Sequence, residues 1–256
     1  MNTSMVLSHE IQGHGAEKVI VMGGWLGDRS VFQPMHPWLD RATFTYCFVD
    51  PRGYGESRHL EGQHTNAEVA RDVITLADSL GWQQFHYIGH SMMGKVAQYL
   101  CAHFSERLKS AVGISPVPAM KIDLGEGRPL FANAWEVPAN RGMICRVTTG
   151  NRHTSIWEQH MIDESLRTTT VAAYRDYFHM WADEDFALEV QGCNVPFLAV
   201  TGEHDAGVPT EFVQATILQW FKQAELQVMS NAGHYPMMEI PIQLVTVCES
   251  FMKRFA

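Results

Sequence analysis

The sequence is poor in the features that mark a disulfide-rich protein or a metal centre. It contains five cysteines in 256 residues, and none belongs to a Cys-x-x-Cys pair. Because the number is odd and the spacing irregular, we expect free, mostly buried thiols. The chain also lacks a His, Cys and Asp cluster at metal-ligand spacing and a Gly-x-Gly-x-x-Gly loop, so we expect no metal and no cofactor. The cysteines are Cys47, Cys101, Cys145, Cys193 and Cys248.

Basic residues are scarce as well. There are 19 Lys and Arg against 28 Asp and Glu, which gives a net charge of −9. An acidic surface repels phosphates, which argues against a nucleic acid or an anionic membrane as a partner, and the sequence has no Lys/Arg cluster. No run approaches the ~18 apolar residues of a membrane span, and residues 1–10 lack the basic and apolar regions of a signal peptide. We therefore expect a cytoplasmic protein, with its oligomeric state left open.

Short apolar runs recur along the chain, each followed by a turn and a segment of helical periodicity. The runs are rich in Val, Ile and Phe and lack clean alternation, as expected of parallel strands covered on both faces. This alternation of strands and helices predicts an α/β fold with a mostly parallel, doubly wound sheet, in a single domain over residues 1–256. The predicted strands are Lys18–Met22, Phe44–Val49, Phe85–Gly89, Ser110–Ile114, Phe197–Thr201 and Leu226–Met229.

Helix signals lie between these strands. The segment Asn66–Leu80 has Ala and Ile at helical spacing, a capping Asn66 and a terminating Gly81. Residues 117–190 carry helical patterns rich in Trp, Tyr, Phe and Met but no convincing strand, which predicts a helical insertion between two strands of the same domain. Further helices are predicted over Val96–Phe104, Glu211–Phe221 and Pro241–Phe255.

The strongest chemical signal surrounds Ser91. A predicted strand runs into Gly-His-Ser-Met-Met-Gly at residues 89–94 and then into a helix. A serine on a tight turn between a strand and a helix projects its hydroxyl from the sheet edge, and Gly89 supplies the small neighbour that such a turn needs. The Met92 N–H then lies at a helix N-terminus, where the free amide and the helix dipole favour an oxyanion.

This segment resembles the nucleophile elbow of the α/β-hydrolase family. The resemblance implies that Ser91 is the catalytic nucleophile and that Met92 contributes to the oxyanion hole. Met93 departs from the family's Gly-x-Ser-x-Gly pattern, in which this position is Gly. Its side chain must find room between the helix and a neighbouring strand.

Two later loops resemble the acid and histidine loops of the same family. Residues 202–209, Gly-Glu-His-Asp-Ala-Gly-Val-Pro, match Gly-x-x-Asp-x-x-Val-Pro, and residues 233–241 match Gly-His-x-Pro-x-x-Glu-x-Pro. The resemblance implies that Asp205 orients His234 and that His234 is the base for Ser91. Within the acid loop, Glu203 is the rival carboxylate.

Two further segments match the family's pattern. Residues 23–27, Gly-Gly-Trp-Leu-Gly, resemble its oxyanion loop with Gly23 in place of His, which implies that the Trp25 N–H is the second oxyanion donor. Residues 50–57 match Asp-x-Arg-Gly-x-Gly-x-Ser and are interpreted as a structural turn. We expect His90 to be a packing residue and Lys95 to lie on the surface of its helix.

The five motifs follow the family's chain order, with Ser before Asp before His. The resemblance implies an α/β-hydrolase fold with a helical cap, and a serine hydrolase that cleaves carboxylic esters through an acyl-enzyme intermediate. The aromatic insertion favours a small to medium apolar ester or lactone. Lactone hydrolysis, carbon–carbon bond hydrolysis, perhydrolase or cofactor-free haloperoxidase activity and ligand reception on the same fold remain alternatives.

Overall fold

The computed structural model describes residues 6–256 and contains a seven-stranded sheet. The strand order is β1-β3-β2-β4-β5-β6-β7, with β1 antiparallel to β3 and the other neighbours parallel. The sheet is therefore mostly parallel, as predicted. The strands are β1 His9–Gly13, β2 Glu17–Met22, β3 Phe44–Val49, β4 Phe85–His90, β5 Leu108–Ile114, β6 Phe197–Gly202 and β7 Ala224–Met229.

Eleven α-helices and several 3₁₀ segments connect the strands within the described residues. The helices are α1 Asn66–Ser79, α2 Met92–His103, α3 Arg128–Ala132, α4 Pro138–Thr148, α5 Ser155–Thr168, α6 Val171–Asp183, α7 Ala187–Val190, α8 Thr210–Ala215, α9 Ile217–Trp220, α10 Pro236–Glu239 and α11 Pro241–Met252. The 3₁₀ segments are Arg29–Trp38, Gly55–Ser57, Ser105–Arg107, Gly125–Gly127 and Lys253–Phe255.

All six predicted strands are present, with ends that differ by two residues or fewer. Strand β1 was not predicted, because its residues, His-Glu-Ile-Gln-Gly, are mostly polar. Such a composition suits an edge strand with one neighbour, and β1 pairs with β3 alone. Hydrogen bonding to β3, rather than intrinsic strand preference, therefore keeps these five residues extended.

Helix α2 begins at Met92, four residues before the predicted Val96, and two other helix predictions were wrong in detail. Thr65, rather than Asn66, caps α1, since its side chain accepts a hydrogen bond from the Glu68 N–H at 3.2 Å. Asn66 is buried, and its side-chain amide donates to the Glu184 carboxylate at 2.7 Å. The helix predicted over Glu211–Phe221 is divided into α8 and α9 at Thr216, whose ψ of −88° leaves the helical region.

The centre of the sheet is buried on both faces. Every residue of β3, β4 and β6 is buried, which explains why these strands lack a clean alternation of apolar and polar residues. Helix α2 packs on β4 and β5 and against α1. Helices α3 to α7 lie in the long connection from β5 to β6. The carboxyl ends of the parallel strands consequently meet at one edge, where the long connection begins, and that connection ends at the opposite edge, where β6 starts.

The five cysteines are free, and four of them are buried. No helix within residues 6–256 combines the length and the apolar character needed to cross a membrane.

Candidate active site

Ser91 occupies a strained turn between β4 and α2. Its backbone has φ 53° and ψ −112°, in a region that residues with a side chain rarely adopt. The strand ends at His90 and the helix begins at Met92, so Ser91 is the single residue between them. Its N–H donates to the Ile114 carbonyl at 2.8 Å, and its own carbonyl accepts from the Gly94 N–H at 2.9 Å. These bonds hold the strained residue in place.

Two glycines give the turn its close backbone approaches. A Cβ added to Gly89 would lie 2.1 Å from the Met93 carbonyl oxygen, and one added to Gly94 would lie 2.6 Å from the Pro116 Cα. Met93 itself has a fully buried side chain. The chain therefore adopts the turn with methionine at the position that departs from the family's pattern, because the tight contacts fall at Gly89 and Gly94.

The structure brings Ser91, His234 and Asp205 together, although 143 residues separate the first two. The His234 Nε2 lies 2.9 Å from the Ser91 Oγ, and the His234 Nδ1 lies 2.8 Å from the Asp205 Oδ2. His234 and Asp205 are both buried. In this arrangement the Nδ1–H donates to the carboxylate, which leaves the Nε2 lone pair free to accept the serine proton.

Asp205 is fixed by its own loop. Its Oδ1 accepts hydrogen bonds from the Gly207 N–H at 2.9 Å and the Val208 N–H at 3.0 Å, while its Oδ2 faces His234. The rival Glu203 is half-exposed, and its carboxylate accepts from the Asn231 N–H at 3.0 Å. The geometry therefore favours Asp205 as the partner of the imidazole.

A buried carboxylate holds the loop that carries His234. The Glu239 side chain accepts hydrogen bonds from the Gly233 N–H at 3.0 Å and the Tyr235 N–H at 3.1 Å, on either side of the histidine. Arg152 forms an ion pair with Glu239 at 2.8 Å. Glu239 belongs to the Gly-His-x-Pro-x-x-Glu-x-Pro motif, but no role was predicted for it. Its position two residues before Pro241 was the available signal, and the structure shows that it orders the loop.

The oxyanion loop passes directly beside the serine. A Cβ added to Gly24 would lie 3.0 Å from the Ser91 Cβ, so the backbone that leads to Trp25 passes close to Ser91. Met92 is the first residue of α2, where an N–H has no acceptor within the helix. Both predicted oxyanion donors thus lie next to Ser91 in the chain or in space, and their role in catalysis stays a prediction.

Two hydrogen bonds and a stacking contact fix the position of Trp25. Its indole N–H donates to the Tyr174 carbonyl at 2.8 Å, and its ring stacks on the Tyr174 ring with centroids 4.2 Å apart. Its backbone carbonyl accepts from the Tyr54 hydroxyl at 2.8 Å. Tyr174 belongs to α6, so the helical insertion fixes the oxyanion loop.

A small cavity opens beside the serine. Its volume is about 90 Å³, and Ser91 and His234 line it together with side chains of the helical insertion. None of the described residues in its wall is Lys, Arg, Asp or Glu. Most of the wall is apolar, including Ile122, Leu124 and Phe131. The cavity therefore suits a small, uncharged group.

His90 is a packing residue that also holds the backbone of His234. Its Nε2–H donates to the His234 carbonyl at 2.8 Å. Burial, with a smaller contribution from His234, lowers the pKa of His90 well below the ordinary histidine value. His90 is therefore neutral at physiological pH.

The interpretation of Lys95 as a surface residue was wrong. Its side chain is fully buried, and its Nζ donates to the backbone carbonyls of Met120, Trp181 and Glu184. The burial of Lys95 could not be predicted from the sequence, because its three hydrogen-bond acceptors are main-chain carbonyls far from it along the chain.

The segment of residues 50–57 forms a turn around a buried carboxylate. Asp50 accepts hydrogen bonds from the Arg29 N–H and the Glu56 N–H, both at 2.9 Å, and forms an ion pair with the Arg29 side chain. Gly55 has φ +50°, and a Cβ there would lie 2.3 Å from the Asp50 carboxylate. Burial raises the pKa of Asp50, partly offset by these hydrogen bonds.

Comparison with known proteins points to one fold. The α/β-hydrolase fold family model matches residues 18–142. Among characterised proteins, the chain is similar to 3-oxoadipate enol-lactonase 2 of Acinetobacter baylyi, with 25% identity over 98% of this chain and 94% of that protein. It is also similar to a non-heme haloperoxidase of Rhodococcus erythropolis, with 27% identity over 72% of this chain and 73% of that protein.

Solved structures give the same result. The enol-lactonase of Burkholderia xenovorans superposes with a TM-score of 0.86 at 20% identity, covering 96% of each chain. An esterase of Exiguobacterium antarcticum superposes with a TM-score of 0.84 at 18% identity, covering 96% of this chain and 95% of that one. At such identities the likeness concerns the fold alone. The chain therefore has the α/β-hydrolase fold, and residues 18–142 match the family model of that fold.

Proposed function

We propose that the protein is a serine hydrolase that cleaves carboxylic esters with small to medium, uncharged apolar acyl groups. The observation that carries this proposal is the hydrogen-bonded series Ser91, His234 and Asp205, which ends at an apolar cavity of about 90 Å³. A hydroxyl beside an imidazole, with a buried carboxylate behind it, is suited to acyl transfer.

The reaction proceeds in two half-reactions. The Ser91 Oγ attacks the ester carbonyl carbon while His234 takes the hydroxyl proton, and the Trp25 and Met92 amides bind the oxyanion. The tetrahedral species then collapses, and His234 gives the proton to the departing alkoxide, which leaves an acyl-enzyme. Water, deprotonated by His234, attacks the acyl carbon and releases the acid, and Ser91 regains its proton.

The wall of the cavity supports the choice of uncharged acyl groups. A carboxylate placed there would lose its hydration without meeting a Lys or Arg, since none of the described lining residues is basic. We expect p-nitrophenyl butyrate to be hydrolysed with a kcat/KM at least tenfold above that of the p-nitrophenyl monoester of succinate, a similar ester with an added charge.

Lactone hydrolysis is a second candidate. It is favoured by the similarity to an enol-lactonase over 98% of the chain. A lactone is an internal ester and would use the same attack, with the alcohol retained in the acyl-enzyme instead of departing. Ring size and the fit of the cavity would then decide between the two substrate classes.

The test is a screen of p-nitrophenyl esters from acetate to octanoate beside γ- and δ-lactones, with Ser91→Ala as the control. Multiple turnovers on at least one short ester, absent in the control, are expected. Turnover of lactones alone would favour the second candidate. A single stoichiometric adduct without further turnover would contradict an enzymatic role and favour a ligand receptor.

A further inference from the structure

A single buried ammonium group holds two distant segments of the chain. Lys95 lies on α2, four residues after Ser91, and its side chain is fully buried. Its Nζ donates to the Met120 carbonyl at 2.9 Å, the Trp181 carbonyl at 3.0 Å and the Glu184 carbonyl at 2.6 Å. An ammonium group has three N–H donors, so all of its hydrogen-bonding capacity goes to these main-chain atoms.

The three acceptors lie at the two ends of the helical insertion. Met120 follows β5 and precedes α3, where the insertion begins. Trp181 lies near the end of α6, and Glu184 follows that helix, where the insertion returns towards the sheet. Lys95 therefore joins the start of the insertion and its end to the helix that follows the nucleophile.

Burial of the Lys95 ammonium group carries a desolvation cost. In the described part of the chain no carboxylate lies within ion-pair distance of Nζ, so the buried charge is balanced by carbonyl dipoles. Burial lowers the pKa of Lys95 to about 8, against the opposing effect of the acidic residues 183–185. An apolar side chain at this position would avoid the cost of burying a charge, but it could not bond the three carbonyls.

The neighbouring turn of α2 offers a natural comparison. The Gln98 side chain donates to the Val117 carbonyl at 2.8 Å and accepts from the Ala119 N–H at 3.0 Å. Gln98 is also fully buried, but its bonds to the insertion reach only the start of it. Lys95 differs from Gln98 in that it also bonds the end of the insertion, at Trp181 and Glu184.

Both ends of the insertion contribute to the cavity beside Ser91. Val117 and Ile122 line it from the start of the insertion, and Trp181 lines it from the end. The Trp181 ring also meets the Trp25 ring edge-on, with centroids 5.6 Å apart. A shift of either end would therefore change the size of a cavity that measures only about 90 Å³.

We propose that Lys95 is a positioning residue that fastens both ends of the helical insertion to α2 and thereby sets the largest acyl group that the cavity accepts. This inference rests on the proposed ester hydrolysis. Without the three bonds, the segments around Met120 and Trp181 separate from α2 and the cavity enlarges. The chemistry at Ser91 is retained, because Lys95 touches none of the reacting groups.

The test compares Lys95→Met with Gln98→Leu and Lys95→Arg. The measured quantity is the ratio of kcat/KM for p-nitrophenyl octanoate to that for p-nitrophenyl acetate, since a ratio cancels the loss of active protein. We expect the ratio to rise about tenfold or more in Lys95→Met, a range typical of pocket-size effects, and much less in Gln98→Leu. Lys95→Arg keeps a cationic donor and should return the ratio towards that of the wild type.

An unchanged ratio in Lys95→Met, with both esters slowed equally, would overturn the proposal, because a merely structural role predicts that result. An equal rise in Gln98→Leu would overturn it as well, since Gln98 does not bond the end of the insertion. If Lys95→Met does not fold, Lys95→Gln, which keeps two N–H donors on a shorter side chain, is expected to show a smaller rise. An unchanged octanoate-to-acetate ratio in a folded Lys95→Gln variant would also overturn the proposal.

Amide hydrogen exchange separates this inference from the proposed function. Lys95→Met should accelerate exchange over both 117–122 and 178–186, whereas Gln98→Leu should do so over 117–122 alone. A wild type that hydrolyses none of the esters would defeat the proposed function. Wild-type exchange rates over 178–186 in Lys95→Met would defeat the role of Lys95.

Discussion

The indole N–H of Trp25 donates to the backbone carbonyl of Tyr174 at 2.8 Å, and the rings of the two residues stack with centroids 4.2 Å apart. Trp25 belongs to the loop beside the nucleophile, and Tyr174 belongs to α6 of the insertion. The guanidinium of the fully buried Arg141 lies 4.0 Å from the centre of the Tyr174 ring. The proposed oxyanion donor is thus positioned by residues that arrive from another part of the chain.

Removal of the Tyr174 ring should therefore affect catalysis at a distance. Tyr174→Leu loses a stacking contact of about 0.5–1.5 kcal/mol and frees the Trp25 ring, so we expect kcat to fall with a smaller change in KM. Tyr174→Phe is the matched control, because the described residues offer no hydrogen-bond partner to the Tyr174 hydroxyl. Ester kinetics on both variants check this, and an equal loss in the two would contradict a role for the ring.

The catalytic roles proposed for Ser91, Asp205 and His234 give the second prediction. Ser91→Ala should lower kcat by about 10⁶-fold, and Asp205→Asn by about 10⁴-fold, because the imidazole then takes the wrong tautomer. Glu203→Gln should leave kcat nearly unchanged, since its carboxylate bonds Asn231 on a half-exposed loop. A fluorophosphonate probe should label Ser91 in the wild type. Labelling of another residue, or a larger loss in Glu203→Gln than in Asp205→Asn, would refute the assignment.

Met93 gives a prediction about stability. Its side chain is fully buried, while Gly89 and Gly94 provide the close backbone contacts of the elbow. Met93→Gly restores the family's pattern but leaves a void, and we expect it to cost ~2–5 kcal/mol, with a further 0.5–1 kcal/mol from glycine in a helix. Met93→Leu, which conserves volume, should cost less than about 1.5 kcal/mol. Thermal melts measure the change in stability, and ester kinetics measure kcat. A rise of both Tm and kcat in Met93→Gly would mean that Met93 strains the turn at Ser91.

Lys95 gives a pH-dependent prediction. Burial lowers its pKa to about 8 in the folded protein, whereas in the unfolded chain it keeps the ordinary value near 10.4. Between these pH values the unfolded chain binds more protons, so this group makes the free energy of unfolding rise with pH. Lys95→Met lacks the group, and its destabilisation relative to the wild type should therefore be larger at pH 10 than at pH 7. Urea titrations at both pH values measure it, and an equal difference would mean that the pKa of Lys95 is unperturbed.

The success of the strand predictions has a simple physical cause. Strands such as β3 and β4 are buried throughout, so their apolar runs are visible without knowledge of any neighbour. The family's motifs lie at the ends of these strands, and the residues that they indicated, Ser91, Asp205 and His234, are the ones that the structure brings within hydrogen-bonding distance.

The errors concern residues whose environment comes from distant parts of the chain. Lys95 follows the pattern of a surface residue, yet its acceptors lie 25, 86 and 89 positions away. The sequence predicts Asn66 as a helix cap because Asn is common at that position. In the structure Asn66 is the first residue of α1, and its side chain donates to the Glu184 carboxylate. Local propensity contains no information about such long-range partners.

Strands β5 and β6 are neighbours in the sheet, with Ile114 opposite Val200, although residues 115–196 separate them along the chain. The entropy of closing a loop grows only with the logarithm of its length, so doubling the connection adds about 0.6 kcal/mol. The sheet therefore tolerates connections of very different length at this crossing. Exchange of the whole segment would then replace the part of the cavity wall that lies between β5 and β6 while the sheet is kept, provided that the incoming segment supplies carbonyl acceptors for Lys95.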